Sequence, residues 1–578
     1  MLDPVRLALL QKRLDHIARQ MGWVMIRTSR SPIFNQSHDF SCFLAAGNGQ
    51  VISQADGIPI HTGGGGFAVR AVLQAFAGRI DPGDAFLLSD PYAAGGNHLP
   101  DWVIARPVFA GAELYAFACI RAHQSDIGGG AAGTYNAAAT EIWHEGIRLP
   151  VLKLVERDRL RDDLWQLLML NSRTPHLLDG DVRAMLGGTQ VGAEQVLKIA
   201  EDTGVEESRD YLQGILDHAD RRLRAEVALL PDGRYCASEG FEDDCFEPMD
   251  IPIEVAVTIA GDSLTVDFTG TAPQMRGFKN SSYANTYSAV CTAIASFFDE
   301  GLPRNEGTFR SVRIEAPRGT VVNAEPPAPC TFCTSNPAQQ IIQVCWKALG
   351  QAAPQRANAG WGNKLFPVTS GRNRDGRTFV LYHWGANSGG GAVAGRDGFD
   401  QIGPIETLGG LTIPNAEVYE QLYPIRVVKQ EFRCDGGGPG AHRGGTGVHY
   451  VAEIAVEAEY AFRAEGIRRA KENGVNGGQG GTKGAIQVAP QGREAFEPPT
   501  YAVMRLPALR LEIMAPAGGG WGNPFERDPQ AVAADVRDGL VSVAAANSAY
   551  GVVVTAAGEV DAAATGLRRL AAQSAPPS

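Results

Sequence analysis

The sequence predicts an α+β protein: multi-layer, with mixed antiparallel sheets, a helical segment at about 150–230 and glycine-rich loops. Three features carry that expectation. Apolar residues recur at helical spacing in 163–171, 180–201 and 207–229, so helices are grouped rather than alternating with strands. Apolar and polar residues alternate over 253–259 and again over 263–268, the period of half-buried antiparallel strands. The 69 glycines among 578 residues fall in tight clusters, which implies many sharp turns and close backbone approaches.

Taken in order, the chain opens with a helix over 3–26. Asp3 is placed to cap it, Pro4 suits its first turn, and Leu7, Leu10, Leu14, Ile17, Met21 and Val24 form one apolar face. The run Asp39-Phe40-Ser41-Cys42-Phe43-Leu44, the turn Gly47-Asn48-Gly49 and Val51-Ile52-Ser53 read as a hairpin. A helix is expected near 67–78, after His61-Thr62-Gly63-Gly64-Gly65-Gly66. Strands are expected at 84–88 and 114–120, the second delivering His123 just past its end. Pro231-Asp232-Gly233 marks a turn and a boundary. Beyond it come strands over 234–270, helices near 283–298 and 336–350, and a strand-rich C-terminal third with a short helix at 530–540. The chain thus divides into 1–232, 233–430, 431–560 and an Ala-rich tail at 561–578 that is expected to fray.

The totals exclude several function classes. A net charge of -12 argues against nucleic acid, whose phosphates call for clustered Lys and Arg. No apolar run approaches the ~18 residues that span a bilayer. The N-terminal residues show no secretory pattern, so a cytoplasmic location is expected. Nine cysteines are sparse and odd in number, as reduced thiols are. Cys330-Thr331-Phe332-Cys333 is a single CxxC with no second pair to complete a structural zinc site. No G-x-x-x-x-G-K-[ST] is present, so ATP binding is not expected of this chain itself.

The chemistry-bearing residues concentrate in two glycine-rich loops. Ser89-Asp90-Pro91-Tyr92-Ala93-Ala94-Gly95-Gly96-Asn97-His98-Leu99-Pro100-Asp101 offers an imidazole and a carboxylate on backbone that Pro100 keeps out of regular helix. His123-Gln124-Ser125-Asp126 follows, running into Gly128-Gly129-Gly130. With Asp39 at the mouth of the first hairpin strand, these residues are the raw material of a mononuclear metal site that activates water or polarises a carbonyl. Each has a plainer reading beside it. Asp126 competes with Asp101 as a ligand, or it orients His123 through the other ring nitrogen. His144 and Glu145 serve as an acid/base pair or line the pocket, or else they form a loop salt bridge with Arg148. His61 marks a substrate loop or a plain tight turn.

Several segments together resemble the hydantoinase B/oxoprolinase family. They are Asp39-Phe40-Ser41-Cys42, the stretch from Ser89 to Asp101, Ala122-His123-Gln124-Ser125-Asp126-Ile127-Gly128-Gly129 and Glu145-Gly146-Ile147-Arg148-Leu149-Pro150. Further on come Gly438-Pro439-Gly440-Ala441-His442-Arg443-Gly444-Gly445-Thr446-Gly447, Gly518-Gly519-Gly520-Trp521-Gly522-Asn523-Pro524 and Tyr550-Gly551-Val552-Val553. The glycine run after His61, and His144 itself, depart from the usual pattern.

The resemblance implies metal ligands at Asp39, His98, Asp101 and His123 holding one zinc, manganese or iron(II) ion. Asp126, His144 and Glu145 are then expected to orient a ligand or move protons. It also implies an A-type partner subunit that carries MgATP and phosphorylates a cyclic amide (lactam, hydantoin or oxoproline type), in a heterotetramer of two A and two B subunits. This chain then hydrolyses the activated ring. Two rival readings are a subunit of a ketone carboxylase of the acetone or acetophenone type, which consumes bicarbonate, and a non-catalytic scaffold for the A subunit.

Overall fold

Asp3 caps the first helix: its Oδ1 accepts the Val5 N–H at 2.9 Å, and the helix runs over Pro4–Thr28. Leu10, Leu14, Ile17, Met21 and Met25 are buried along one face, with Leu7 and Val24 at its margin. Each such side chain contributes roughly 1.5–3 kcal/mol relative to exposure. The computed structural model describes residues 2–54, 57–298, 301–468 and 473–573. The fold is mixed α+β with four sheets, mostly antiparallel. It divides into two units. One comprises Met1–Ala352, Asp375–Val380 and Gly410–Ile413, the other Ala353–Arg374, Leu381–Gly409 and Pro414–Ser578.

The first unit is built on a seven-stranded sheet. Its strands are β1 (Phe40–Ala46), β2 (Val51–Gln54), β3 (Ala85–Leu88), β4 (Asp101–Ala110), β5 (Glu113–His123), β6 (Leu152–Glu156) and β7 (Arg159–Leu160). Their order is β2-β1-β5-β4-β3-β6-β7, with every neighbour antiparallel. One face packs on the helix Gly65–Ala75, where Val69 and Val72 meet Phe43, Phe86, Val103, Phe117 and Cys119. The other face packs on the helix Pro175–Thr203. That approach is close: a Cβ on Gly188 would fall 2.6 Å from Ile120 Cδ1, and one on Gly192 would fall 3.0 Å from Ala118 Cβ. With both faces covered, every residue of β4 as far as Val108 is buried.

The helical segment expected at about 150–230 begins later than its sequence suggests. Residues 152–160 form the β6–β7 hairpin, turned by Arg157 and Asp158 at φ 48° and 62°. The helices Asp162–Leu170, Pro175–Thr203 and Val205–Val227 follow. After the turn at 231–233, Gly233–Asp243, Pro248–Ala260 and Ser263–Asp267 pair antiparallel, with Val312–Glu315 added in parallel at the edge. The helix Ala338–Ala352 lies against this sheet and against the helix Tyr283–Phe297.

In the second unit, Ile425–Phe432, Val448–Ile454, Leu509–Met514 and Ala485–Pro490 form one antiparallel sheet. Val368–Arg372, Ala458–Arg463 and Tyr501–Leu506 pair antiparallel in another. The glycine clusters stack backbone on backbone: Gly438 N–H donates to Gly518 O at 2.9 Å, and Gly518 N–H to Gly445 O at 2.9 Å. A Cβ on Gly444 would fall 2.0 Å from Gly518 O, so no larger residue fits there. These runs are tight β connections. The segment expected at 530–540 is the helix Pro529–Arg537, and Ala562–Gln573 is helical, with 574–578 outside the described residues. Among the described residues no helix is long and apolar enough to cross a membrane.

Candidate metal centre

Strand register assembles the centre. In the β4–β5 ladder Asp101 stands directly opposite His123, a pairing that places Cβ atoms about 4.5–5.5 Å apart. On the other side of β5, Phe40 pairs with Ala122, and the His123 N–H donates to the Asp39 carbonyl at 3.1 Å. Asp39, Asp101 and His123 therefore stand at one end of three adjacent central strands. His98 reaches the same end from the loop before β4, and its carbonyl accepts the Asp101 N–H at 3.3 Å. That loop folds hard on itself: a Cβ on Gly96 would fall 1.9 Å from the Ser89 carbonyl oxygen. The Ser282 hydroxyl fastens it by donating to Gly96 O at 3.1 Å and Asn97 O at 2.8 Å.

His98 Nε2 lies 2.8 Å from Asp101 Oδ1, and His123 Nδ1 lies 3.4 Å from the same oxygen. The ligand atoms of His98, Asp101 and His123 all fall within 4.8 Å of one another, and all three residues are buried. His98 Nδ1 donates to the Thr331 carbonyl at 2.5 Å, which leaves Nε2 as the nitrogen turned toward Asp101. Yet among the described residues neither His98 Nε2 nor either Asp101 oxygen makes a well-aligned hydrogen bond, although His98, His123 and His61 all stand within 3.5 Å of that carboxylate. The atoms are close but not aligned as donor and acceptor. Leaving such buried groups unsatisfied costs about 1–3 kcal/mol each, and a cation shared among them offsets that cost. These three residues could hold a metal ion.

The electrostatics fit that use. Burial lowers the His123 pKa to about 4 against the pull of Asp101, so at neutral pH the ring is neutral and its nitrogen carries a lone pair. Burial raises Asp101, but His98 and His61 outweigh it and hold the carboxyl well below its ordinary value. Neutral imidazole and ionised carboxylate are the forms that bind metals.

Two further residues shape the site. His61 Nε2 lies 3.5 Å from Asp101 Oδ2 and 3.7 Å from Asp39 Oδ1, so it bridges the two carboxylates. Burial lowers its pKa to about 4. Arg121 is fully buried; its Nη1 donates to His61 O at 2.6 Å and to Asn97 Oδ1 at 2.9 Å. Burial lowers its pKa to about 10, so it stays cationic beside Asp101. His61 carried a signal in the glycine run behind it. Arg121 shares a strand face with His123 two residues on. Thr331 acts through its backbone, from 233 residues away in sequence, and carried none.

The other candidates take separate places. Asp39 reaches the group through His61 and its own carbonyl. Asp126 accepts from the N–H groups of Gly128 at 3.2 Å, Gly133 at 3.3 Å and Arg173 at 2.7 Å, and pairs with the Arg173 guanidinium at 2.9 Å. His144 is exposed on the turn Ile142–His144, its Nδ1 accepting the Thr140 N–H at 3.3 Å. Glu145 is fully buried and accepts from Cys330 N–H at 2.9 Å and Thr331 N–H at 2.7 Å. Burial raises its carboxyl to about 8 despite those two donors. Arg148 pairs with Asp90 at 2.6 Å rather than with Glu145, because Asp90 sits in the turn that faces it. Cys330 and Cys333 are buried free thiols.

Known proteins share this chain's pattern. The hydantoinase B/oxoprolinase family profile matches residues 3–524. The caprolactamase subunit beta of Pseudomonas jessenii is 33% identical, over 98% of this chain and 99% of its own length. The crystal structure of ATP-dependent caprolactamase from Pseudomonas jessenii superposes with a TM-score of 0.90 at 31% identity, covering 99% of this chain and 100% of that one. A nucleotide-free acetone carboxylase structure shares the fold, with a TM-score of 0.87 at 21% identity over 100% of this chain and 84% of that one. With the profile spanning nearly the whole sequence and a relative aligned end to end, this chain belongs to the hydantoinase B/oxoprolinase family.

Proposed function

We propose that this chain is the metal-holding subunit of an ATP-dependent hydrolase of cyclic amides, acting on a lactam- or hydantoin-type ring that an A-type partner has phosphorylated. The observation that carries the reading is the buried convergence of His98, Asp101 and His123, with His98 Nε2 and both Asp101 oxygens lacking a well-aligned hydrogen bond among the described residues. The family and the likeness to a caprolactamase subunit support the substrate class.

His98, Asp101 and His123 would hold the ion, and Asp39, now tied to that group through His61, would turn in as the fourth ligand on metal binding, a set that suits zinc, manganese or iron(II). Bound there, a divalent ion supplies a Lewis acid and a water whose pKa falls toward ~7. The remaining work falls to the chain's own groups. Thr331 fixes the His98 ring through Nδ1. His61 Nε2, between Asp39 and Asp101, is the group placed to take and return a proton. Tyr135 stacks on His123 at 5.9 Å and Phe332 meets Tyr135 edge-on, giving the centre an aromatic wall. The partner is needed because an amide resists water: resonance protects its carbonyl and nitrogen leaves poorly. Phosphorylating the amide oxygen makes the carbon far more electrophilic.

The test is reconstitution with the A-type partner and a panel of lactams and hydantoins. Ring opening is expected only with both subunits and ATP. His98→Ala is expected to lower it by at least about 100-fold while the subunits still associate. Undiminished ring opening by His98→Ala contradicts the proposal and favours a scaffold role.

A further inference from the structure

Glu145 does not touch the His98/Asp101/His123 group, yet one residue separates it from that group. Thr331 is bound from both sides: its N–H donates to Glu145 Oε1 at 2.7 Å, and its carbonyl accepts from His98 Nδ1 at 2.5 Å. The other Glu145 oxygen takes the N–H of Cys330 at 2.9 Å, so the carboxyl group grips two successive amides. The far side of this turn is fixed as well. Cys333 N–H closes on the Cys330 carbonyl at 3.0 Å, and the Cys333 thiol donates to Asn97 O at 3.4 Å, next to His98.

Glu145 is itself clamped by the loop that leaves His123. Gly130 N–H donates to His144 O at 2.9 Å and Ile147 N–H to Ile127 O at 3.0 Å, one on each side of Glu145. The fit depends on glycine: Gly129 holds φ +80°, and a Cβ there would fall 2.7 Å from the Glu145 carbonyl oxygen. A continuous set of contacts therefore runs from the β5 end through 127–130 to Glu145, then Thr331, then His98.

We propose that Glu145 is a positioning residue: by holding the amides of Cys330 and Thr331 it aims the Thr331 carbonyl at His98 Nδ1 and so keeps His98 Nε2 turned toward Asp101. This inference rests on the metal-centre reading above. Groups that hydrogen-bond the far nitrogen of a ligating imidazole fix its orientation, and losing such a partner lowers metal affinity. Here the partner is a backbone carbonyl, which cannot be mutated, so the side chain that places it is the accessible handle. The CxxC turn takes a structural part, as the frame that carries Thr331.

The test is Co(II) titration of the metal-free full chain, followed by the visible absorption of the bound ion, for the parent, Glu145→Ala, Glu145→Gln and Glu145→Asp. The parent is expected to bind one Co(II). Glu145→Ala is expected to bind roughly 10- to 100-fold more weakly with an altered spectrum. Glu145→Gln, which keeps one acceptor and the same shape, is expected to fall between, and Glu145→Asp to recover part of the affinity. Should Glu145→Ala not fold, the parent-to-Gln difference decides alone. Unchanged Co(II) affinity and spectrum in folded variants overturn this inference and leave the metal reading standing. A parent chain that takes up no Co(II) overturns both.

Discussion

Two clusters of charge built around buried side chains are resolved in opposite ways in this chain. In the second unit, Arg527 meets Asp397 at 2.6 Å and Asp535 at 2.8 Å, while Arg443 meets Asp400 at 3.1 Å and Asp535 at 3.5 Å. Each guanidinium has two carboxylates, and the backbone N–H groups of Arg443 and Thr446 complete Asp397 and Asp400 at 2.7 Å. In the first unit, His98 and Asp101 approach to 2.8 Å without donor–acceptor alignment. The first cluster is matched in charge within the chain, although the Arg443 and Arg527 Nε–H groups have no aligned acceptor among the described residues, and it reads as architecture. The second is short of partners where they are most expensive to lack, and reads as a place for something the chain does not supply.

That contrast can be broken most forcefully at Asp535, the carboxylate shared by both arginines. Asp535→Ala takes one of two carboxylates from each of two buried cations and is expected to destabilise the protein by about 1.5–3 kcal/mol in denaturant unfolding, with metal uptake by the folded fraction unchanged. A loss of metal uptake in the folded fraction would erase the distinction between the two clusters.

A third buried charge lies between these extremes and sharpens the comparison. Asp181 Oδ1 accepts the N–H groups of Arg30 at 2.7 Å and Ser31 at 3.0 Å, while its Oδ2 has no well-aligned donor among the described residues. Burial raises its pKa from 3.8 to about 6. A raised carboxyl favours folding in its protonated form, so its stabilisation is full below about pH 4 and is lost as pH rises through about 6. The difference by pH 8 is up to about 3 kcal/mol. Asp181→Asn keeps the Oδ1 acceptor and is always neutral. It is expected to be about 1–3 kcal/mol more stable than the parent at pH 8 and equal to it at pH 4, measured by unfolding at both values. A stability difference independent of pH contradicts the assignment.

Legibility in the sequence followed periodicity. The first helix, the three helices after 162 and the first hairpin carry caps, apolar faces or turn residues that announce them, and all fold close to those bounds. β4 has no such announcement. Buried on both faces, Asp101–Ala110 shows no alternation, and Pro107 and Arg106 interrupt it. The β6–β7 hairpin is too short for a periodic signal and was hidden beside a long helical stretch. In the site, His98, Asp101 and His123 stood out because ionisable residues on glycine-rich loops at strand ends are where scaffolds place chemistry. Thr331 could not stand out, since its part is played by the backbone of a turn distant in sequence. Asp126 and Glu145 drew notice for their chemistry, but their hydrogen bonds run to loop amides and, for Asp126, to Arg173, contacts that residue type alone does not specify.

The most direct measurement is elemental analysis of the purified full chain beside Asp101→Ala and Asp535→Ala. One divalent metal ion per chain is expected in the parent and in folded Asp535→Ala, and none in Asp101→Ala. A parent without metal after incubation with zinc, manganese and iron(II), or an Asp101→Ala chain that keeps a full complement, would contradict the metal-centre reading.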